Sequence, residues 1–162
     1  MKVLIAYASW FGHNRAIAKA LAQELTKQEG TVICAHISKI AVEDVGGLDL
    51  LVLGTYTHAG RANNRLRWLC DAIPRRRLEQ MAVALFGTQA ADLLQAHEPG
   101  GVDDLLAHLA GRDIDVVVPP LRIGLPGAAA VLPWRGIGAA ERGQIKAFAR
   151  ELLEACVPAP LL

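Results

Sequence analysis

The sequence predicts an α/β fold: five parallel strands with helices on both faces of the sheet. Three observations carry this. Short apolar runs alternate five times with apolar stripes at helical spacing, the pattern of repeated βαβ units. The short runs are apolar on consecutive positions, as strands covered on both faces are. Glycines and prolines punctuate the boundaries between the two kinds of segment.

Val3-Leu4-Ile5-Ala6-Tyr7 is the first such run and the first expected strand. Ile17, Ala18, Leu21, Ala22 and Leu25 follow at spacings of one, three and four, one face of a helix that Gly30 ends. Thr31 to Ala35 reads as strand two. The connection from Ser38 to Gly47 has only a weak helical pattern, and Leu48 to Leu53 then forms strand three, stopping at Gly54. Leu66, Leu69, Cys70 and Ile73 mark a helix closed by Pro74. Met81 to Phe86 is the expected strand four, and Val102, Leu105, Leu106 and Leu109 mark a helix ended by Gly111. Ile114 to Val118 reads as strand five, stopped by Pro119-Pro120. Leu121 to Gly138 reads as an ordered loop or a short hairpin, and Ile145, Phe148, Ala149, Leu152 and Leu153 line a last helix.

The bulk numbers narrow the function. With 162 residues and 52% hydrophobic content, one folded domain over 1–162 is expected. A formal charge of +1 gives no basic face for nucleic acid. No apolar run reaches bilayer-spanning length, and the short N-terminal one fits a strand better than a signal peptide. Three widely spaced cysteines, Cys34, Cys70 and Cys156, form no CxxC and suit thiols in a reducing cytoplasm. His36, His97 and His108 are scattered without metal-ligand spacing. No metal and no membrane partner is expected.

In an open α/β sheet, ligands bind at the carboxyl ends of the strands. Three loops leave those ends. Ser9-Trp10-Phe11-Gly12-His13-Asn14 joins strand one to a helix N-terminus, where free N–H groups and the helix dipole suit a phosphate. Ser9 and Asn14 add side-chain donors, and Gly12 lets the backbone turn tightly. The same residues also suit a plain strand–helix turn capped by Asn14. The loop is neither a Walker A sequence nor GxGxxG, so neither a triphosphate nor a dinucleotide is signalled. The other two loops are Thr55 to Arg61 and the segment from Gly87 onward.

Taken together, these loops carry a resemblance to the flavodoxins. Ala6 to Asn14 resembles their phosphate loop, in which a hydroxyl residue, two variable residues, Gly, Asn or His, and Thr or Asn precede the helix. Leu53-Gly54-Thr55-Tyr56-Thr57-His58-Ala59-Gly60-Arg61 resembles the second flavin loop, commonly Gly-Thr/Ser-Pro-Thr-aromatic-x-Gly-Arg. Ala84-Leu85-Phe86-Gly87-Thr88 is similar to the strand-four end that opens the third. The three lie in register from Met1 to about Leu153.

The resemblance implies a flavodoxin-like three-layer sandwich of strand order 2-1-3-4-5 with FMN bound non-covalently at its upper edge. Ser9, Trp10, Phe11, Gly12, His13 and Asn14 would hold the phosphate. Thr55, Tyr56, Thr57, His58, Ala59 and Gly60 would line the isoalloxazine. His58 stands where many flavodoxins place a Trp against the inner ring face. Gly87, Thr88 and Gln89 would meet the pyrimidine edge through backbone groups. The third loop, Gly87 to Gly101, holds no Tyr or Trp for the outer face, which predicts weaker FMN binding or completion of the site by a partner surface.

Outside the loops, Arg61, Arg65 and Arg67 fall at the start of the next helix and would make the rim basic. Arg75-Arg76-Arg77 falls at the opposite end of the sheet and reads as a solvated turn. Trp134 and Arg135 either fold over the site or make an oligomer contact. A phosphorylation-switch receiver shares the strand order but needs acidic residues after strand one and an Asp ending strand three. Tyr7-Ala8-Ser9 and Leu53-Gly54-Thr55 exclude it.

The functional expectation is an FMN-dependent electron-transfer protein or small oxidoreductase in the cytoplasm, in which the flavin does the redox chemistry. Its partner is a redox protein or a small-molecule electron acceptor. A chain at +1 lacks the strong field of the acidic electron shuttles, which favours a dedicated partner or a small molecule. An NAD(P)H-dependent quinone-type reductase and a binding module that has lost FMN are the alternatives. The sequence leaves the number of subunits open.

Overall fold

A computed structural model describes residues 1–28, 30–126 and 136–156. Five strands, β1 (Lys2–Tyr7), β2 (Thr31–His36), β3 (Leu50–Tyr56), β4 (Ala82–Ala90) and β5 (Leu121–Leu125), form one parallel sheet of order β2-β1-β3-β4-β5. The long helices are α1 (His13–Thr26), α2 (Asn64–Ala72), α5 (Gly101–Ala110) and α6 (Ala139–Cys156); α3 (Arg75–Leu78) and α4 (Ala91–Gln95) are single turns.

The two-residue period of a strand sends alternate side chains to opposite faces, and both faces are apolar here. Val3, Ile5 and Tyr7 of β1 pack with Ile17, Leu21 and Leu25 of α1 and Ile145, Phe148 and Leu152 of α6. Leu4 and Ala6 pack on the other side with Leu66 and Leu69 of α2 and Leu105 and Leu109 of α5. Thus β1 and β3 are sealed on both faces, which is why their sequences are continuous apolar runs.

The crossover from β2 to β3 contains no α-helix. Two 3₁₀ turns, Ile37–Lys39 and Val42–Val45, bury Ile37 and Val45 beneath the α2 side. This is the physical content of the weak helical pattern there. The arginine run forms α3 immediately before β4, at the amino end of the strands. Arg75 pairs with Glu79 at 2.7 Å and Asp113 at 3.0 Å.

Two strand limits and one strand placement differ from the sequence reading. β3 runs through Gly54 to Tyr56, and β4 continues past Phe86 through Gly87 to Ala90. Strand five is Leu121–Leu125 rather than 114–118. Ile114 and Val118 are buried, and Val117 donates one backbone bond to Val83 at 2.9 Å. The two prolines that follow carry no N–H. Regular pairing begins only at Leu121, which lies opposite Phe86, the start of the extended half of β4. The first five residues of the stretch read as a loop or hairpin are therefore a strand. Its segment 127–135, with Trp134 and Arg135, lies outside the described residues.

Candidate functional site

The longer β3 and β4 place three loops at one end of the sheet around a cavity of about 440 Å³, within the size range of small-molecule sites. The first loop is built on glycine geometry. Gly12 has φ 89° and ψ −2° and is the N-cap of α1. Its N–H donates to Ser9 Oγ at 3.1 Å, closing the turn. No side chain caps the helix, so the helix end offers backbone donors and a positive dipole to the cavity. Asn14 is not the cap. It is buried at the second helical position, donates from Nδ2 to the Ala8 carbonyl at 3.0 Å, and leaves Oδ1 without a hydrogen-bond partner among the described residues. Its amide fixes the loop to the end of β1, and its buried acceptor stays available to a ligand hydroxyl.

The second loop is a tight turn. His58 N–H donates to the Arg61 carbonyl at 3.1 Å, and Arg61 N–H returns a bond to His58 at 2.9 Å. Ala59 and Gly60 between them have φ 49° and 73°, the two positive values a type I′ turn needs. Glycine meets that demand freely, whereas alanine at φ 49° is strained by about 1–2 kcal/mol. Ala59→Gly is therefore expected to raise stability by roughly 0.5–1 kcal/mol after the added chain entropy is counted, read as a higher urea midpoint at unchanged slope. Below the turn, Thr55 is buried, and its Oγ1 accepts the Asn63 N–H at 3.1 Å while donating to the Tyr56 carbonyl at 3.0 Å.

The third loop is stitched to the second. Thr57 Oγ1 donates to the Thr88 carbonyl at 3.0 Å and accepts the Gly101 N–H at 2.9 Å. Gln89 Nε2 donates to the Glu98 carbonyl at 2.9 Å. A Cβ on Gly100 would lie 2.5 Å from Gln89 Oε1, and one on Gly101 would lie 2.5 Å from the Tyr56 carbonyl oxygen. Paired glycines are what lets α5 start directly against the site. Burial pushes the Asp103 carboxyl up, but the Gly100 N–H at 2.9 Å and Arg122 at 2.7 Å outweigh it and hold the group below the usual carboxylate range.

Of the fifteen residues expected at a ligand, twelve line the cavity: Ser9, Trp10, Phe11, His13 and Asn14 from the first loop, Tyr56 to Gly60 from the second, and Thr88 and Gln89 from the third. Gly12, Thr55 and Gly87 stand behind its wall. Gly12 shapes the first loop, Thr55 props the second, and Gly87 lies mid-sheet opposite Thr55 and Arg122. Ala90, Leu93 and Leu125 complete the lining. From the third loop the cavity thus receives aliphatic side chains, Ala90 and Leu93, and β5 adds Leu125. No chemical signature in the sequence marks them, and only the extension of β4 and the true position of β5 bring them to the site.

The aromatic surface comes from the first loop instead. Trp10 is 65% exposed, stacks on Phe11 with ring centres 6.0 Å apart, and stands 5.7 Å from the His58 ring and 5.9 Å from Tyr56. The expected basic rim is divided. Arg67 is drawn to Asp104 at 3.5 Å, and the same carboxylate accepts the Ala62 N–H at 3.0 Å. Among the described residues Arg61 and Arg65 form no ion pair.

Among the described residues no group of His, Cys, Asp and Glu could hold a metal ion, and no helix is long and apolar enough to cross a membrane. Cys70 is buried and its thiol is pushed up to about 12, chiefly by desolvation. Burial also raises the Cys34 and Cys156 thiols, and all three are free.

The flavodoxin domain family model matches residues 4–112. No curated protein sequence matches the chain. Among solved structures it is similar to the rubredoxin oxygen:oxidoreductase of the anaerobe Desulfovibrio gigas (TM-score 0.75, 16% identity, 96% of this chain and 36% of that one). An archaeal flavodoxin aligns at TM-score 0.73 and 14% identity, over 96% of this chain and 99% of that one. Oxidised flavodoxin 2 of Bacillus cereus aligns at TM-score 0.70 and 22% identity, over 95% and 99%. The chain therefore spans about a third of the oxidoreductase and nearly the whole of the flavodoxins, and at these identities the likeness establishes the fold.

Proposed function

This chain belongs to the flavodoxin domain family, and from that premise we propose that the cavity at the carboxyl ends of β1, β3 and β4 holds FMN for electron transfer. The observation that carries the reading is the meeting of one cavity of about 440 Å³ with the uncapped N-terminus of α1. A phosphate at that helix end would meet backbone N–H groups and the positive dipole. The buried Asn14 Oδ1 suits a ribityl hydroxyl. Thr88 and Gln89 would offer polar groups to the ring's edge and Leu93 and Leu125 apolar surface, all four lining the cavity.

FMN supplies the redox chemistry when bound; this chain's residues bind, orient and partly dry it. The first loop would hold the phosphate. The second and third loops, tied together through Thr57, would surround the ring. Trp10, His58 and Phe11 form the exposed lip through which electrons would pass to a redox protein or a small acceptor. One domain working in the cytoplasm, where three free cysteines stay reduced, fits this role.

The test is the absorbance spectrum of the purified protein, followed by titration of the flavin-free form with FMN and riboflavin. A flavin spectrum is expected, with FMN bound at least about tenfold more tightly than riboflavin, the 1.4 kcal/mol that phosphate contacts readily supply. Failure to bind either flavin overturns the reading, and equal affinity for both removes the phosphate loop from it.

A further inference from the structure

Trp10 lines a second cleft, of about 310 Å³, as well as the flavin cavity. The two share Ser9, Trp10 and Tyr56, which form a common wall. Beyond that wall the second cleft is lined by His36, Asn63 and Arg65, with the buried Ile37 beneath. Its chemistry is one-sided: among the described residues no Asp or Glu lines it.

Internal hydrogen bonding also leaves its polar groups as donors. His36 Nδ1 accepts the Ser38 N–H at 3.2 Å, with Ser38 Oγ at 2.8 Å, so the neutral imidazole carries its proton on Nε2. Tyr56 Oη accepts Asn63 Nδ2 at 3.1 Å, which leaves the phenol proton to donate. Asn63 Oδ1 is taken by the Arg65 N–H at 2.9 Å, so the amide positions its neighbours. Ser9 Oγ accepts the Gly12 N–H and keeps its own proton to give. Arg65 is always cationic, and among the described residues no carboxylate neutralises it. Arg67, two positions on, has Asp104 for that purpose.

A wall of donors around an uncompensated guanidinium is complementary to an anion. The adjoining indole offers an aromatic face. We propose that this cleft binds the carboxylate or phosphate of a small aromatic molecule whose ring lies against Trp10, beside the flavin cavity. The proposal rests on the flavin reading above for its purpose, since it brings an anionic reactant next to the cofactor. The recognition itself depends only on residues of the second cleft. The environment of His36 agrees: burial, Arg65 and Lys39 together hold its imidazole below the usual range, with the Tyr7 ring edge-on at 5.7 Å and Ser38 bonded to it. A bound anion would offset those two cations and let His36 protonate more readily.

The test uses the full chain, with and without FMN, and three probes: anthraquinone-2-carboxylate, the neutral 2-(hydroxymethyl)anthraquinone, and phenyl phosphate. Binding is followed by the His36 imidazole resonances and by tryptophan fluorescence. The carboxylate probe is expected to bind at least about tenfold more tightly than its neutral counterpart and to raise the His36 titration midpoint. Phenyl phosphate shifting His36 more than the carboxylate would assign the site to phosphate esters; the reverse would assign it to carboxylates. Arg65→Ala is expected to abolish the preference for the charged probe and Arg65→Lys to restore part of it, both still taking up FMN because Arg65 lies outside the lining of the flavin cavity. Equal binding of charged and neutral anthraquinones, or an intact preference in Arg65→Ala, overturns the proposal. A chain that selects the anionic probes but takes up no FMN leaves the anion cleft standing and refutes the flavin reading instead.

Discussion

Gly12→Val is expected to leave a folded protein whose FMN affinity has fallen by about a hundredfold or more. At φ 89° Gly12 occupies backbone space that costs other residues about 1–2 kcal/mol, and the branched Val side chain makes the strain worse. The loop would relieve it by rotating away from its left-handed turn, breaking the Gly12 to Ser9 bond and re-aiming the first N–H groups of α1. Hydrogen bonds to a charged group contribute roughly 1.5–3 kcal/mol each, so losing one or two accounts for the hundredfold. Riboflavin, which lacks the phosphate, is expected to lose much less. Flavin fluorescence titrations on both proteins read the difference directly. A Gly12→Val protein that keeps the preference for FMN over riboflavin would move the phosphate away from this helix end.

Gly54→Ala is expected to produce the largest loss of stability available from one added carbon. Gly54 lies in the central strand between Tyr7 of β1 and Phe86 of β4. A Cβ there would sit 2.1 Å from Phe86 Cζ and within 2.6 Å of two further ring carbons. Phe86 is fully buried, so the ring can move only by displacing the layer beneath α1 and α6. Overpacking of this severity costs about 3 kcal/mol, the upper end of its usual range, and is read as a lower urea midpoint. Phe86→Leu in the Gly54→Ala background should recover part of the loss, a favourable coupling of about 1 kcal/mol or more between touching residues. Independent, additive effects would mean that the ring does not cover Gly54.

These two glycines show what was legible in the sequence. Gly12 was readable because a glycine between a strand and a helical stripe has one common use, a tight turn into a helix N-terminus. Gly54 and Gly87 looked like strand ends, since glycine weakens a strand. Here each lies inside one. A Cβ at Gly54 would strike Phe86, and a Cβ at Gly87 would fall 2.4 Å from Val102 Cγ2 and 2.5 Å from the Thr55 carbonyl oxygen. Close packing from a distant segment decides such positions, and a local window does not contain it. Strand five failed for a related reason. Ile114 to Val118 is the more β-prone stretch, but the free partner surface lies along the extended end of β4, two prolines later. The polar residues that line the cavity carried a chemical signature in the sequence. The aliphatic Ala90, Leu93 and Leu125 carried none. Trp10 was visible as a residue, but nothing in the sequence showed that it would stand between two clefts.

The proline pair ahead of β5 has a consequence for how the chain behaves among its own copies. Along the amino half of β4 the outer flank of the sheet accepts a bond from Val117 to Val83, and the chain then meets Pro119 and Pro120. An incoming strand from a neighbouring molecule extends a sheet only where successive amide hydrogens and carbonyls alternate. Two adjacent imino acids break that alternation, because neither carries an amide hydrogen to donate. During synthesis and refolding, when crowded chains sample each other's unfinished edges, this flank is a poor template for runaway strand addition. The same two prolines that guard this flank also postpone regular pairing until Leu121, where β5 can reach the site.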